Sequence, residues 1–125
     1  MISAYAALRH LNRDFNGAAY SPPATWHIGF RNSGVELSGN GYARIPLAAN
    51  ITNWPTTATT VMSNGVVFTT TTASGGDWLQ TDEVALYDAA TLGNLWYWDL
   101  LDAPFTLAET RFRTFAVGAL QIRMI

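Results

Sequence analysis

Hydrophobic and polar positions follow two periods along this chain. Up to residue 17 the period is helical. Tyr5, Leu8, Leu11 and Phe15 recur at steps of three, three and four, which predicts one apolar helix face. Ser3 stands where an N-cap accepts an orphan amide, and Gly17 where a C′ glycine ends the helix. Ser21-Pro22-Pro23 stops any continuation. A helix of this length is marginal alone, so it is expected to dock on a neighbour.

From Thr25 the period becomes two. Trp26, Ile28 and Phe30 alternate with Thr25, His27 and Gly29, the pattern of a half-buried strand. Residues 31–41 read as a Gly, Ser and Asn loop, and Tyr42 to Leu47 as a second strand. The Thr-rich stretch 56–72 suggests two strands broken at Ser63-Asn64-Gly65, where Asn-Gly signals a hairpin. A strand at Val84 to Tyr87, a turn at Asp88 to Asn94 and an aromatic strand at Leu95 to Asp99 follow. Leu100 to Pro104 reads as a connection. Phe105 to Leu107, Phe112 to Ala116 and Leu120 to Met124 supply the last strands. Short strands at this spacing predict a mainly β fold: an antiparallel, jelly-roll-like β-sandwich occupying 1–125 as a single domain, with a helix over 1–17 and strands over 25–125. Expected core anchors are Trp26, Ile28, Phe30, Val84, Leu86, Phe112 and Leu120, while Asp82 and Glu83 are expected to be exposed and replaceable.

Composition changes this picture in two ways. Charged residues make up 13% of the 125, about half the usual share. All seven basic residues are Arg, beside five Trp, five Tyr and six Phe. Interfaces are enriched in these residues and depleted in Lys, so a surface partly covered by other subunits is expected. The acids also cluster: residues 77–109 hold seven of them and no Arg, a segregation that can steer head-to-tail contacts. A net charge of -2 gives no basic stripe for nucleic acid. No apolar run reaches the roughly 18 residues of a membrane span, so neither nucleic acid nor membrane is an expected partner.

Candidate chemistry is sparse. Cysteine is absent, and the two histidines, His10 and His27, lack a nucleophile motif or a zinc-ligand spacing. Asp99 with Asp102, and Asp82 with Glu83, are carboxylate pairs of the kind common in turns. Asp77, Asp82 and Asp88 lack the pattern of an EF-hand loop. Gly39-Asn40-Gly41 precedes neither a helix nor a Lys and suits a turn better than a phosphate loop. No cofactor, metal or enzymatic activity is expected. Trp96 and Trp98, placed on one strand face by alternation, together with Trp54 and Arg44, are the candidate interface or glycan-contact residues.

Several segments carry a resemblance: Phe15-Asn16-Gly17, Tyr20 to Phe30, Val35 to Arg44 with its Gly41-Tyr42-Ala43-Arg44 block, Gly76-Asp77-Trp78, Ala85 to Ala90 and Gly93 to Tyr97. Together they resemble a family of small tailed-bacteriophage virion proteins of the tail-fibre or minor structural kind. The resemblance implies a structural β domain assembled into the virion in the host bacterial cytoplasm, as a homotrimer, beside major capsid or tail proteins. It brings no catalytic residue set. The lack of a shaft repeat suits a capsid decoration, or cement, protein. The competing expectation is a fibre-end knob recognising a host glycan.

Overall fold

The computed structural model describes residues 1–58 and 60–123. It is mostly β, with antiparallel sheets in sandwich-like packing and one short helix. The helix α1 spans Ala4–Asn16. The strands are β1 (Thr25–Asn32), β2 (Val35–Glu36), β3 (Ile45–Ala48), β4 (Thr56–Ala58), β5 (Val61–Ser63), β6 (Phe68–Thr69), β7 (Thr81–Tyr87), β8 (Leu95–Phe105), β9 (Thr114–Phe115) and β10 (Gln121–Arg123). The expected last strand ended at Met124, which lies outside the described residues.

The principal sheet runs β2-β1-β7-β8, and β3 shares with β2 the outer edge of β1. Its register sets two faces. Ile28 lies opposite Leu86 and Phe30 opposite Val84, and these four point into the core. Gly29, Arg31, Glu83 and Ala85 point the other way. The β10-β5-β4 sheet and the β6-β9 pair complete the core. A column of phenylalanines joins the layers: Phe30 stacks on Phe115 at 5.6 Å, and Phe115 on Phe68 at 4.9 Å. Offset stacks of this kind add to the apolar area they bury.

Four expectations are corrected. The loop over 31–41 contains a tight hairpin: Ser33 (φ 48°) and Gly34 (φ 86°) are both left-handed, as a two-residue type I′ turn between β1 and β2 requires. Asn64-Gly65 makes no hairpin. Instead Asn64 is fully buried, accepts from the Leu120 amide and donates to the Val66 and Ala116 carbonyls. The 100–104 connection is strand, because β8 continues to Phe105 through an irregularity opposite Thr81 and Glu83. Phe112 is not a core anchor; it is 57% exposed, while Phe115 and Phe105 take the buried positions. Trp26 sits at the margin of the core, partly buried.

Candidate assembly surface

The helix is fixed at both ends by the residues that its sequence suggests. Ser3 Oγ accepts from the Ala6 amide at 3.1 Å and donates to the Leu95 carbonyl at 2.6 Å, so one side chain caps α1 and ties it to β8. Gly17 takes a left-handed φ of 69°, and the Ala18 amide closes the last turn on the Asn12 carbonyl. Backbone pairing of residues 1–3 along β8 holds the entry: Ser3 donates to the Trp96 carbonyl and Trp98 to that of Met1.

One side of α1 docks. Ala6 is fully buried. Tyr5 sets its ring edge-on to Trp96 at 5.4 Å, and His10 bridges the hydroxyls of Tyr97 and Tyr20 at 3.1 Å each. The opposite side faces outward. Leu8 (57%), Leu11 (53%) and Phe15 (81%) are exposed, in line with exposed Ala4. Positions 4, 8, 11 and 15 follow steps of four, three and four, the a/d spacing of a coiled-coil seam. Tyr5, expected in the same stripe, turns toward the sheet. The helix was expected to dock, and does so through its other side; the stripe of Leu8, Leu11 and Phe15 is left uncovered by this fold.

The outer face of the principal sheet is covered by its own polar side chains. Arg31 pairs with Glu83 at 2.9 Å and stacks over Trp98 at 5.2 Å. Glu83, expected to be exposed, is buried by this pairing; Asp82 is half-buried and accepts from the Ser33 amide. Arg44 forms a bidentate pair with Glu36 at 2.8 Å, lies 3.6 Å from the Tyr87 ring centroid and donates to the Ala89 and Leu92 carbonyls. Tyr42 donates to Glu36 at 2.7 Å and accepts from the Phe30 amide. Burial by itself would raise the Glu36 carboxyl; the bonds from Arg44 and Tyr42 outweigh it and hold it below its ordinary range. Burial, then the bond to Glu36, pushes the Tyr42 phenol up.

The four candidate contact residues are distributed over the molecule. Trp96 is 3% exposed, boxed by Tyr5, Tyr20 and Trp26, and donates its indole N–H to Asp88. Trp54 is 7% exposed and belongs to the core. Arg44 is nearly closed off by Glu36 and Tyr87. Trp98 alone of the four is a half-exposed ring, under Arg31. The turn at 88–94 links Trp96 with Arg44: Asp88 binds the first, and Ala89 and Leu92 bind the second. Trp96 and Trp98 do not share a face. A bulge at Trp96, between the pairs Leu86–Tyr97 and Tyr87–Leu95, brings Trp96 and Tyr97 both against Trp26.

The acidic residues serve the turns. Asp77 accepts from the Glu109 amide, Asp82 from Ser33 and Asp88 from Asn94, so the three are engaged separately, Asp82 within β7 and the other two in different turns. Asp99 is tied to Arg123 at 2.8 Å. Among the described residues no group of three or more His, Cys, Asp or Glu could hold a metal ion, and no helix is long and apolar enough to cross a membrane. One feature escaped the sequence: a groove of about 350 Å³ between residues 32–42 and 77–79. Its walls come from segments far apart in the chain, and the turn Ser33-Gly34 was its one local signal.

These features describe a β-rich protein whose polar side chains fasten its own loops. The chain matches, over residues 1–123, the family model described as Podophage GP4 fiber I protein gp80. It belongs to that family, and is a structural protein of the bacteriophage virion, of the fibre kind. No curated protein matches it.

Proposed function

We propose that this chain is a non-enzymatic subunit of a podophage fibre that self-associates as a homotrimer along the α1 seam. The observation that carries this reading is the seam of Ala4, Leu8, Leu11 and Phe15, which faces water while Ala6, Tyr5 and His10 dock on the sheet. The flanking e and g positions are Tyr5, Asn12, Ala7 and Asp14, so little like charge opposes identical helices meeting. The trimer follows the family resemblance: three seams close around one axis and bury what each leaves exposed. Neighbouring virion proteins then bind the assembled unit, with Trp98 and the outer sheet face available to them.

Sedimentation of the purified chain tests the reading. The wild type should sediment as a trimer, and Leu11→Glu/Phe15→Glu as a folded monomer with an unchanged circular dichroism spectrum. A monomeric wild type at high micromolar concentration, or a trimeric double variant, overturns it. Capsid decoration, expected from the lack of a shaft repeat, has no specific support from the family match. Copy number per virion separates the two positions: a handful for a fibre, hundreds for a shell protein.

A further inference from the structure

The groove between residues 32–42 and 77–79 has a definite chemical character. Val35 and Leu79 are exposed apolar residues, 71% and 69%, and Trp78 and Tyr42, in edge-to-face contact at 5.5 Å, line the groove with them. No cationic residue lines it. Glu36 is already neutralised by Arg44. Asp77 uses one carboxylate oxygen for the Glu109 amide and has no partner for the other among the described residues. The groove thus offers apolar side chains set among polar ones such as Asn32, Ser38 and Asn40, and an unneutralised carboxylate.

The complementary element stands on the same chain. Phe112 is 57% exposed, flanked by Arg111 and Arg113. Among the described residues neither Arg has an ion-pair partner; Arg113 lies over Phe105 at 4.7 Å, and Arg111 is open to solvent. An exposed ring between two unpaired cations, in a chain so poor in charge, complements a groove that presents Val35, Leu79 and an unpaired anion. We propose that the Arg111-Phe112-Arg113 segment of one copy docks in this groove of a second copy. Phe112 lies against Val35 and Leu79, and Arg111 reaches Asp77. This is a heterologous contact, different surfaces on the two partners, of the kind that closes a ring when the rotation fits. The inference rests on the self-assembly reading and names a second contact within it.

Because the chain has no cysteine, a cross-link test is clean. Leu79→Cys chains are mixed with Phe112→Cys chains and oxidised; both positions are exposed, so the fold tolerates the changes. The mixture should give a disulfide-linked dimer as its main product, well above a control pairing Leu79→Cys with Leu92→Cys. Arg111→Glu, introduced into the Phe112→Cys chain, should lower the yield several-fold, and rising salt should lower it further. If the wild type sediments as an oligomer and the mixture links no more than the control, this contact is wrong while self-assembly stands. A monomeric wild type with no cross-link removes both. An equal yield with Arg111→Glu overturns the charge pairing with Asp77 and so the proposed docking.

Discussion

The guanidinium carbon of Arg44 lies 3.6 Å from the centroid of the Tyr87 ring, on the sheet face away from the core. The same side chain pairs with Glu36 and holds two carbonyls of the 88–94 turn. Arg44→Ala leaves the half-buried Glu36 carboxylate without its cation, and should cost about 3 kcal/mol, the low end for a broken buried pair because Glu36 keeps some water. Arg44→Lys should recover less than half, since an ammonium cannot form the fork or lie flat on the ring. Urea melts of the three proteins check both values.

Asn64 acts as a polar clasp in the core. Replacing it with Ala strands the Leu120 amide and the Val66 and Ala116 carbonyls, groups held at 2.9 Å each. About 3 kcal/mol or more should be lost, since each buried group left unpaired costs about 1–3 kcal/mol. Asn64→Asp should be no better, because it turns an acceptor toward two carbonyls. Thermal denaturation followed by circular dichroism distinguishes these outcomes from a tolerated change.

Two glycines should respond in opposite measure to alanine. At Gly65 a methyl group would overlap the Thr52 carbonyl oxygen and come within 2.7 Å of Pro55 Cδ, so Gly65→Ala should prevent stable folding. At Gly75 nothing lies within 4 Å, and only the left-handed φ of 78° opposes the change. Gly75→Ala should therefore cost about 1 kcal/mol. Expression yield and melting temperature of the two variants read the difference.

Stability should fall at both ends of the pH range. At Asp88 burial favours the proton, but the Asn94 backbone and side chain and the Trp96 indole outweigh it; at Asp99 burial is outweighed by Arg123 and the Leu100 amide. Both carboxyls, like that of Glu36, are held below their ordinary values. Their contribution is complete above about pH 5 and disappears as pH drops through the folded values. Burial raises the Tyr42, Tyr87 and Tyr97 phenols, so above about pH 10 the unfolded chain loses protons that the folded one keeps. Melting temperatures should be lower at pH 3 and at pH 11 than at pH 8.

Local chemistry was readable in the sequence; long-range geometry was not. Ser3 and Gly17 announce the ends of α1 because capping depends on residues a few positions apart. Ile28, Phe30, Val84 and Leu86 announce the core because alternation survives any register. The helix stripe misled in one respect: periodicity reports a shared face and not what covers it. Ala6 docks because a small side chain lets α1 approach β8, while the larger Leu8, Leu11 and Phe15 stay outside. Glu83 reads as a surface acid because its partner, Arg31, is 52 residues away. Asn64-Gly65 reads as a hairpin for the same reason: the amide and carbonyl that claim the Asn64 side chain from residues 120 and 116 are absent from its neighbourhood in sequence. The groove needed the juxtaposition of β2 with residues 77–79, which no local pattern encodes.

The clamping of α1 onto β8 by Ser3, Tyr5 and His10 has a kinetic consequence. A free peptide of this length would have to coil while it finds its partners, and each encounter would be wasted on disordered chains. In the proposed trimer the stripe would already be rigid when copies collide. Subunit encounter would then proceed at the pace of preshaped bodies, and dissociation would return intact monomers, ready for another attempt.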